Sequence, residues 1–225
     1  MRLAHPDWKF VLEFRENETP VLVIEDPRRL RQAAGELARQ ADGEEGRFVL
    51  SKDWEPIEIE KNLRVMTDVF GLDVNERKSL SALHRELHRA AEGEKYFLKT
   101  AELKTQLARW MAALEMETPY ALEYEDANVP ALLKALDVRF ENPPSELTER
   151  LAQWMRIQTA FLSVRCIVCV NLRALFDVEE LRQLYQCARY EKVHLLMLEN
   201  RAEGKIDPGE RFFVIDKDLC EIYDE

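Results

Sequence analysis

VRCIVCVNLRALFDVEELRQLYQCARYEKVHLLMLEN, residues 164–200, is the stretch that decides the fold. Its first eight residues, 164–171, and its last eight, 193–200, are almost continuously apolar, which is typical of strands buried on both faces. Between them, Asp177 and Glu180 form a capping-box pattern ahead of a segment whose apolar side chains recur every three or four residues. Strand, amphipathic helix and strand of these lengths predict a right-handed βαβ unit in a parallel sheet.

Other segments predict further elements around this unit. PVLVIED (20–26) has the same apolar character and precedes a helix predicted over residues 27–41, which begins with proline, so we expect it in the same sheet. RFFVIDKDL (211–219) predicts a last strand. The spacing of apolar residues in NLRVMTDVF (62–70) instead indicates a helix that ends at Gly71.

A long helical insertion interrupts the α/β pattern. Residues 75–116 contain no proline and a single glycine, Gly93, and their apolar side chains recur at helical spacing. This predicts a pair of helices that breaks near the glycine. The predicted domains are an α/β head, residues 1–74 and 127–225, and an inserted α-helical leg lobe, residues 75–126.

Composition limits the class of protein. The chain has 225 residues, of which 33% are charged, and a formal net charge of −11, as expected for a soluble globular protein. Such a charge argues against an indiscriminate polycation, although a local basic face could still bind nucleic acid. MRLAHPDWKF does not resemble a signal peptide, no apolar run is long enough to span a membrane, and the four cysteines fit a reducing compartment. We therefore expect a cytoplasmic protein without a membrane partner.

Two short motifs suggest metal or redox chemistry, but each has a simpler explanation. Cys166 and Cys169 are three residues apart on a predicted strand, so they point to opposite faces and are expected to be small core residues. His84 and His88 lie one helical turn apart, a spacing that zinc sites use. Arg85 occupies the place where the zincin motif requires glutamate, so a solvated helix face is favoured over a zinc site.

Asp26, Asn171 and Glu199 follow predicted parallel strands, and ligands of open α/β sheets bind beyond the carboxyl ends of such strands. A phosphate cradle requires a glycine-rich turn, but none of the seven glycines lies at a strand-to-helix turn. The sequence therefore favours a sheet related to P-loop folds that lacks the P-loop, and it disfavours nucleotide hydrolysis. The alternative is a metal-dependent nuclease or phosphohydrolase in which Asp26 and Glu199 hold magnesium.

Charge is unevenly distributed along the chain. Residues 76–109 carry eight Lys or Arg against five Glu, and the helix at 27–41 adds four arginines. Residues 111–126 contain five carboxylates and no basic residue. Solvated helix faces would explain both clusters. Crowded carboxylates repel one another, however, and a hard cation with oxygen ligands would relieve that repulsion.

Several strings occur in an order that resembles a known family: VLVIED (21–26), RFVLSKDWEPIEIEKNLRVMTDVFGLDVN (47–75), LEYED (122–126), LLKALDVRFEN (132–142), IVCVN (167–171), LLMLE (195–199) and FFVIDKDL (212–219). The most specific piece is T-D-x-x-G-x-D-x-N at 67–75. Over essentially its whole length the chain resembles the accessory spacer-acquisition protein of type II-A CRISPR systems, the ring-forming Csn-two family.

The resemblance implies an α/β head related to P-loop proteins but without nucleotide binding, and an inserted helical leg. It implies a homotetrameric ring that binds double-stranded DNA ends without sequence preference and is held in its DNA-binding form by calcium. It also implies a role in CRISPR adaptation beside the CRISPR integrase complex and the type II effector nuclease, with no catalytic residue. A scaffold that only oligomerises is a third hypothesis.

Site residues follow from the same resemblance. The calcium ligands it implies are Glu123, Glu125 and Asp126, joined by Glu117 one helical turn earlier. The basic residues expected to contact DNA on the inner wall of the ring are Lys52, Lys61, Arg64, Lys134 and Arg139.

Overall fold

The structure is a computed structural model that describes residues 1–141, 144–202 and 204–223. Its strands are β1 (Arg2–Ala4), β2 (Leu12–Glu13), β3 (Thr19–Ile24), β4 (Val49–Lys52), β5 (Glu55–Ile57), β6 (Leu63–Met66), β7 (Cys166–Val170), β8 (His194–Glu199), β9 (Glu210–Ile215) and β10 (Glu221–Tyr223). Its helices are α1 (Pro27–Ala41), α2 (Ile59–Asn62), α3 (Arg77–Glu92), α4 (Phe97–Glu115), α5 (Val129–Ala135), α6 (Leu147–Leu162) and α7 (Val178–Tyr190). In the described ranges, no helix combines the length and apolar character needed to cross a membrane.

The main sheet has the strand order β10-β9-β3-β8-β7-β6. The strands from β9 to β6 run parallel to their neighbours, and β10 pairs antiparallel with β9. The chain reverses between them in a turn where the Asp216 carboxylate accepts hydrogen bonds from the backbone N–H groups of Asp218 and Cys220. The expected α/β fold is confirmed, and its sheet is mixed rather than wholly parallel.

The predicted βαβ unit is present as β7, α7 and β8. Asp177 accepts hydrogen bonds from the backbone N–H groups of Glu179 and Glu180, and the Glu180 side chain accepts one from the Asp177 N–H, which completes the capping box. The strands are buried because helices pack on the sheet: Leu181 and Leu184 of α7 are each 1% exposed.

The helix predicted over residues 62–70 is wrong. Leu63–Met66 forms β6, an edge strand that pairs in parallel with β7, with Leu63 opposite Cys166. Leu63 and Met66 are buried, so the spacing of these apolar residues fits either element. Pairing with a strand about a hundred residues later decides between them, and local spacing carries no information about that pairing.

A second, antiparallel sheet has the order β2-β1-β4-β5. The hairpin between β4 and β5 turns at Asp53 and Trp54, whose φ angles of 52° and 70° match the left-handed turns that suit the twist of paired strands. The indole of Trp54 is exposed, and the Arg2 guanidinium lies over it at 3.5 Å from the ring centroid.

The chain divides into two compact units, one formed by Met1–Val74 with Pro143–Glu225 and the other by Asn75–Asn142. The first contains both sheets. The second contains α3, α4 and α5, with α3 packed against the other two helices. Within it, the Asn75 side chain donates to the Phe140 carbonyl and accepts from the Phe140 N–H. The sequence instead predicts α5 as part of the α/β head.

Candidate functional site

The carboxyl ends of the parallel strands bring together the polar residues named from the sequence. β3 and β8 are paired with Val23 opposite Glu199, and β8 is paired with β7, which ends one residue before Asn171. Asp26 follows β3 at the same edge of the sheet. The Asn171 side-chain oxygen accepts a hydrogen bond from the Asn200 N–H at 3.1 Å, which ties the ends of β7 and β8 together.

Both carboxylates named for magnesium have structural partners. Asp26 caps α1 by accepting a hydrogen bond from the Arg29 N–H at 2.8 Å. Glu199 is 4% exposed and accepts a hydrogen bond from the Arg173 N–H at 3.1 Å. Across the described ranges, no group of three or more His, Cys, Asp or Glu side chains is arranged to hold a metal ion.

A buried polar network joins α7 and the loop after β7 to Glu210 at the start of β9, and sequence reasoning missed it. The Tyr185 hydroxyl donates to Glu210 at 2.7 Å, and the Ile206 N–H donates to the other carboxylate oxygen at 2.7 Å. The Arg173 guanidinium lies 3.7 Å from Glu210 and donates to the Gly204 carbonyl at 2.7 Å. Burial, together with the hydrogen bond to Glu210, raises the pKa of the Tyr185 hydroxyl, so it stays protonated and donates. The network therefore fixes the connection between β8 and β9.

The acidic segment is our name for the residues expected to bind calcium: Glu117, Glu123, Glu125 and Asp126. All four are exposed. The neighbouring Glu115 instead accepts a hydrogen bond from the Leu122 N–H at 3.0 Å, which holds the chain that leaves α4. Because the four carboxylates are not gathered into a ligand group, calcium binding at the acidic segment stays a prediction.

The basic residues expected to contact DNA differ in whether their side chains already have an ion-pair or hydrogen-bond partner within the protein. Lys61 and Arg139 each pair with a carboxylate two or three residues away, at 2.6 and 3.5 Å. Arg64 donates to the backbone carbonyls of residues 60 and 63. Among the described residues, the exposed side chains of Lys52 and Lys134 form no ion pair or hydrogen bond. These two are therefore the most available for a ligand.

The histidine and cysteine motifs have structural roles. Cys166 and Cys169 are both free and buried, and burial raises their thiol pKa values, as expected for core residues. His88 is partly exposed and lies 3.1 Å from a glutamate four residues later. His84 is half-buried, and its Nε2 lies 2.7 Å from the Val138 carbonyl oxygen, so the predicted solvated face does not extend to this residue.

Helix α4 packs on α3, but several of its large apolar side chains remain exposed. None of its residues is buried. Leu98 and Trp110 are 79% and 57% exposed, and Met116 just after the helix is 84% exposed. These exposed side chains make α4 a candidate interaction surface.

Comparison with known proteins places this architecture in a family. The family model described as CRISPR-associated protein (Cas_Csn2) matches residues 40–219, which spans the second sheet from β4 onward, the helical unit and most of the main sheet. The CRISPR-associated protein Csn2 of Streptococcus agalactiae is 24% identical over 163 residues, covering 69% of this chain and 69% of that protein. With the family model covering most of the chain, this protein belongs to the CRISPR-associated Csn2 family.

Proposed function

We propose that the protein is a non-catalytic accessory factor that binds duplex DNA, including its ends, without sequence preference during the acquisition of new CRISPR spacers. Membership of the Csn2 family is the observation that carries the proposal. The CRISPR integrase complex and the type II effector nuclease are its proposed functional partners.

Phosphate contacts explain how a protein with a net charge of −11 binds DNA. Binding to the phosphate backbone of DNA depends on where lysines and arginines converge on the protein surface rather than on the protein's total charge. Such contacts do not distinguish one DNA sequence from another. Lys52 and Lys134 support the proposal because their charges are exposed and uncompensated by ion pairs within the described residues. Lys61, Arg64 and Arg139 are proposed as secondary contacts, since each must first exchange an existing partner.

Assembly into a homotetrameric ring is part of the same proposal. The exposed apolar side chains of α4 supply a surface that a second copy of the chain would cover. A closed ring places basic side chains from several copies around one duplex, so modest contacts from each copy add up.

Calcium is proposed to bind the acidic segment. Its ligands are hard carboxylate oxygens, which suit calcium better than zinc. The four carboxylates of the acidic segment are exposed, so they must move closer together to coordinate one ion. An ion that binds only the assembled form stabilises that form with the logarithm of its concentration.

A salt titration of duplex binding tests the DNA proposal. Fluorescence anisotropy with a linear duplex should show tight binding, and binding to a covalently closed circle should be much weaker if the ring threads onto ends. Lys134→Ala should weaken binding to every sequence alike and reduce the salt slope by about one unit for each copy whose Lys134 contacts the duplex. Lys134→Arg keeps the charge and is the matched control, so its slope should equal that of the wild type.

Three results would contradict the proposal. One is the absence of any duplex binding at low salt, which would leave a scaffold that only oligomerises. Another is a Lys134→Ala variant that discriminates among sequences. The third is cleavage of labelled duplex in the presence of magnesium, which would favour the nuclease alternative. Sedimentation of each variant checks that the tetramer is intact.

A further inference from the structure

Part of the basic excess at residues 76–109 forms a line along α3, and the proposed DNA contacts do not use it. Lys78, Arg85 and Arg89 are exposed and lie seven and four residues apart on this helix. Side chains at these spacings share one face of a helix, here over about 16 Å of its axis. We call these three residues the basic stripe.

Most of the positive charge of the basic stripe is unpaired. Arg89 pairs with Glu86 at 2.6 Å. Lys78 and Arg85 form no ion pair or hydrogen bond with any other residue that the structure describes. In a protein with a net charge of −11, two unpaired cations on one helix face make a local site for an anion.

Basic residues also occupy the start of α3, where they are electrostatically unfavourable. Arg77 and Lys78 are its first two residues, and its first turn contains no acidic residue. Glu76 precedes the helix, but its side chain makes no capping hydrogen bond. The start of a helix carries a partial positive charge, so cations there lower its stability. Helix stability therefore does not explain these two residues, whereas a bound anion would.

The first half of α3 lies beside Arg139, one of the proposed DNA contacts. The Phe140 backbone exchanges two hydrogen bonds with the Asn75 side chain, just before α3. The Val138 carbonyl oxygen lies 2.7 Å from Nε2 of His84, two turns into the helix. Arg139 is thus held between two contacts that flank the start of α3, within one compact unit.

We propose that the basic stripe and Arg77 form a further contact surface for the phosphate backbone of duplex DNA, and that Arg77 and Lys78 are placed for binding at the expense of stability. This inference rests on the proposed function and extends it to a helix that supplies none of the contacts named so far. Bound phosphates supply the negative charge that the first turn of α3 lacks, so DNA should stabilise the helix.

The charge reversal Lys78→Glu tests the proposal because it should change stability and binding in opposite directions. Without DNA, it replaces an unfavourable cation with a favourable anion, and the Tm should rise by about 2–4 °C. Fluorescence anisotropy with a linear duplex should show an affinity at least about tenfold lower. A residue that only supports the fold would not gain stability while losing affinity.

Lys192→Glu is the matched control, since it makes the same change of charge in the other compact unit. Lys192 is exposed and follows the end of α7, where a cation is favourable, so this variant should lower the Tm. Its affinity for the duplex should stay within about threefold of the wild type. A second variant, Arg85→Gln in the middle of α3, should reduce the salt slope without raising the Tm.

The proposal is overturned if Lys78→Glu and Arg85→Gln bind duplex as the wild type does. It is also overturned if Lys192→Glu weakens binding as much as Lys78→Glu, since that reflects bulk charge, or if Lys78→Glu lowers the Tm. Weaker binding by Lys134→Ala with no effect of the α3 variants would leave the proposed function standing and remove this surface. No duplex binding by the wild type would instead refute the proposed function, and the inference with it. Sedimentation checks that each variant assembles as the wild type does.

Discussion

The hydrogen bond between Tyr185 and Glu210 makes a sharp prediction about stability. Tyr185 and Glu210 are 0% and 1% exposed, and the hydroxyl donates to the carboxylate at 2.7 Å. Tyr185→Phe removes this donor without changing the packing of the ring. Hydrogen bonds to charged groups contribute about 1.5–3 kcal/mol. Since Glu210 keeps its hydrogen bond from the Ile206 N–H, we expect the lower part of that range, about 2 kcal/mol.

Urea and thermal unfolding followed by circular dichroism measure this effect. For a chain of this size, 2 kcal/mol corresponds to a fall in Tm of about 4–8 °C. Tyr190→Phe is the matched control because Tyr190 lies on the same helix but is 83% exposed. Its free energy of unfolding should stay within about 0.5 kcal/mol of the wild type. If Tyr185→Phe is as stable as this control, Glu210 does not depend on the tyrosine, and the network described here is wrong.

Three further predictions follow from other sites. Burial alone would raise the pKa of Asp207, but the hydrogen bond from Arg189 at 2.7 Å holds it below its ordinary value of 3.8. Asp207→Asn should therefore cost about 1 kcal/mol at pH 7, and urea titrations should show the difference shrinking as the pH falls below about 4, where the unfolded chain takes up the proton. Iodoacetamide should label Cys220 in the native protein but Cys166 and Cys169 only after unfolding, because Cys166 and Cys169 are buried and their thiol pKa values are raised. Mass spectrometry of the labelled peptides checks this, and labelling of Cys166 or Cys169 in the native protein would refute it. Calcium should raise the Tm and favour the proposed tetramer. A variant with amides in place of the carboxylates of the acidic segment should lose the Tm response in calorimetry and the assembly response in sedimentation. If a chelator changes neither the Tm nor the assembly of the wild type, the acidic segment is only a solvated surface.

The elements predicted best are those that produce a recognisable pattern in their own stretch of sequence, such as an apolar run or a capping box. β3, β7 and β8 are nearly continuous apolar runs because helices or neighbouring chain cover both faces of the parallel sheet. α7 was equally clear because Asp177 and Glu180 form a capping box.

The features that the sequence did not predict depend on partners that are far away along the chain. Leu63–Met66 becomes a strand only because β7 pairs with it. Arg173 and Glu210 are residue types usually found at the surface, and nothing in the intervening sequence indicates that they meet in the interior.

The lack of buried side chains in α4 has a kinetic consequence. Its 19 residues form a helix of about 28 Å that packs on α3 without burying any of its residues fully. Most of the stability of a helix in a protein comes from tertiary packing rather than from its intrinsic propensity. Its amide hydrogens should therefore exchange with solvent through frequent local opening, far faster than those of β7 and β8, in any copy whose apolar face is uncovered. Amide protection along Phe97–Glu115 thus reports, residue by residue, whether a neighbouring molecule covers the helix.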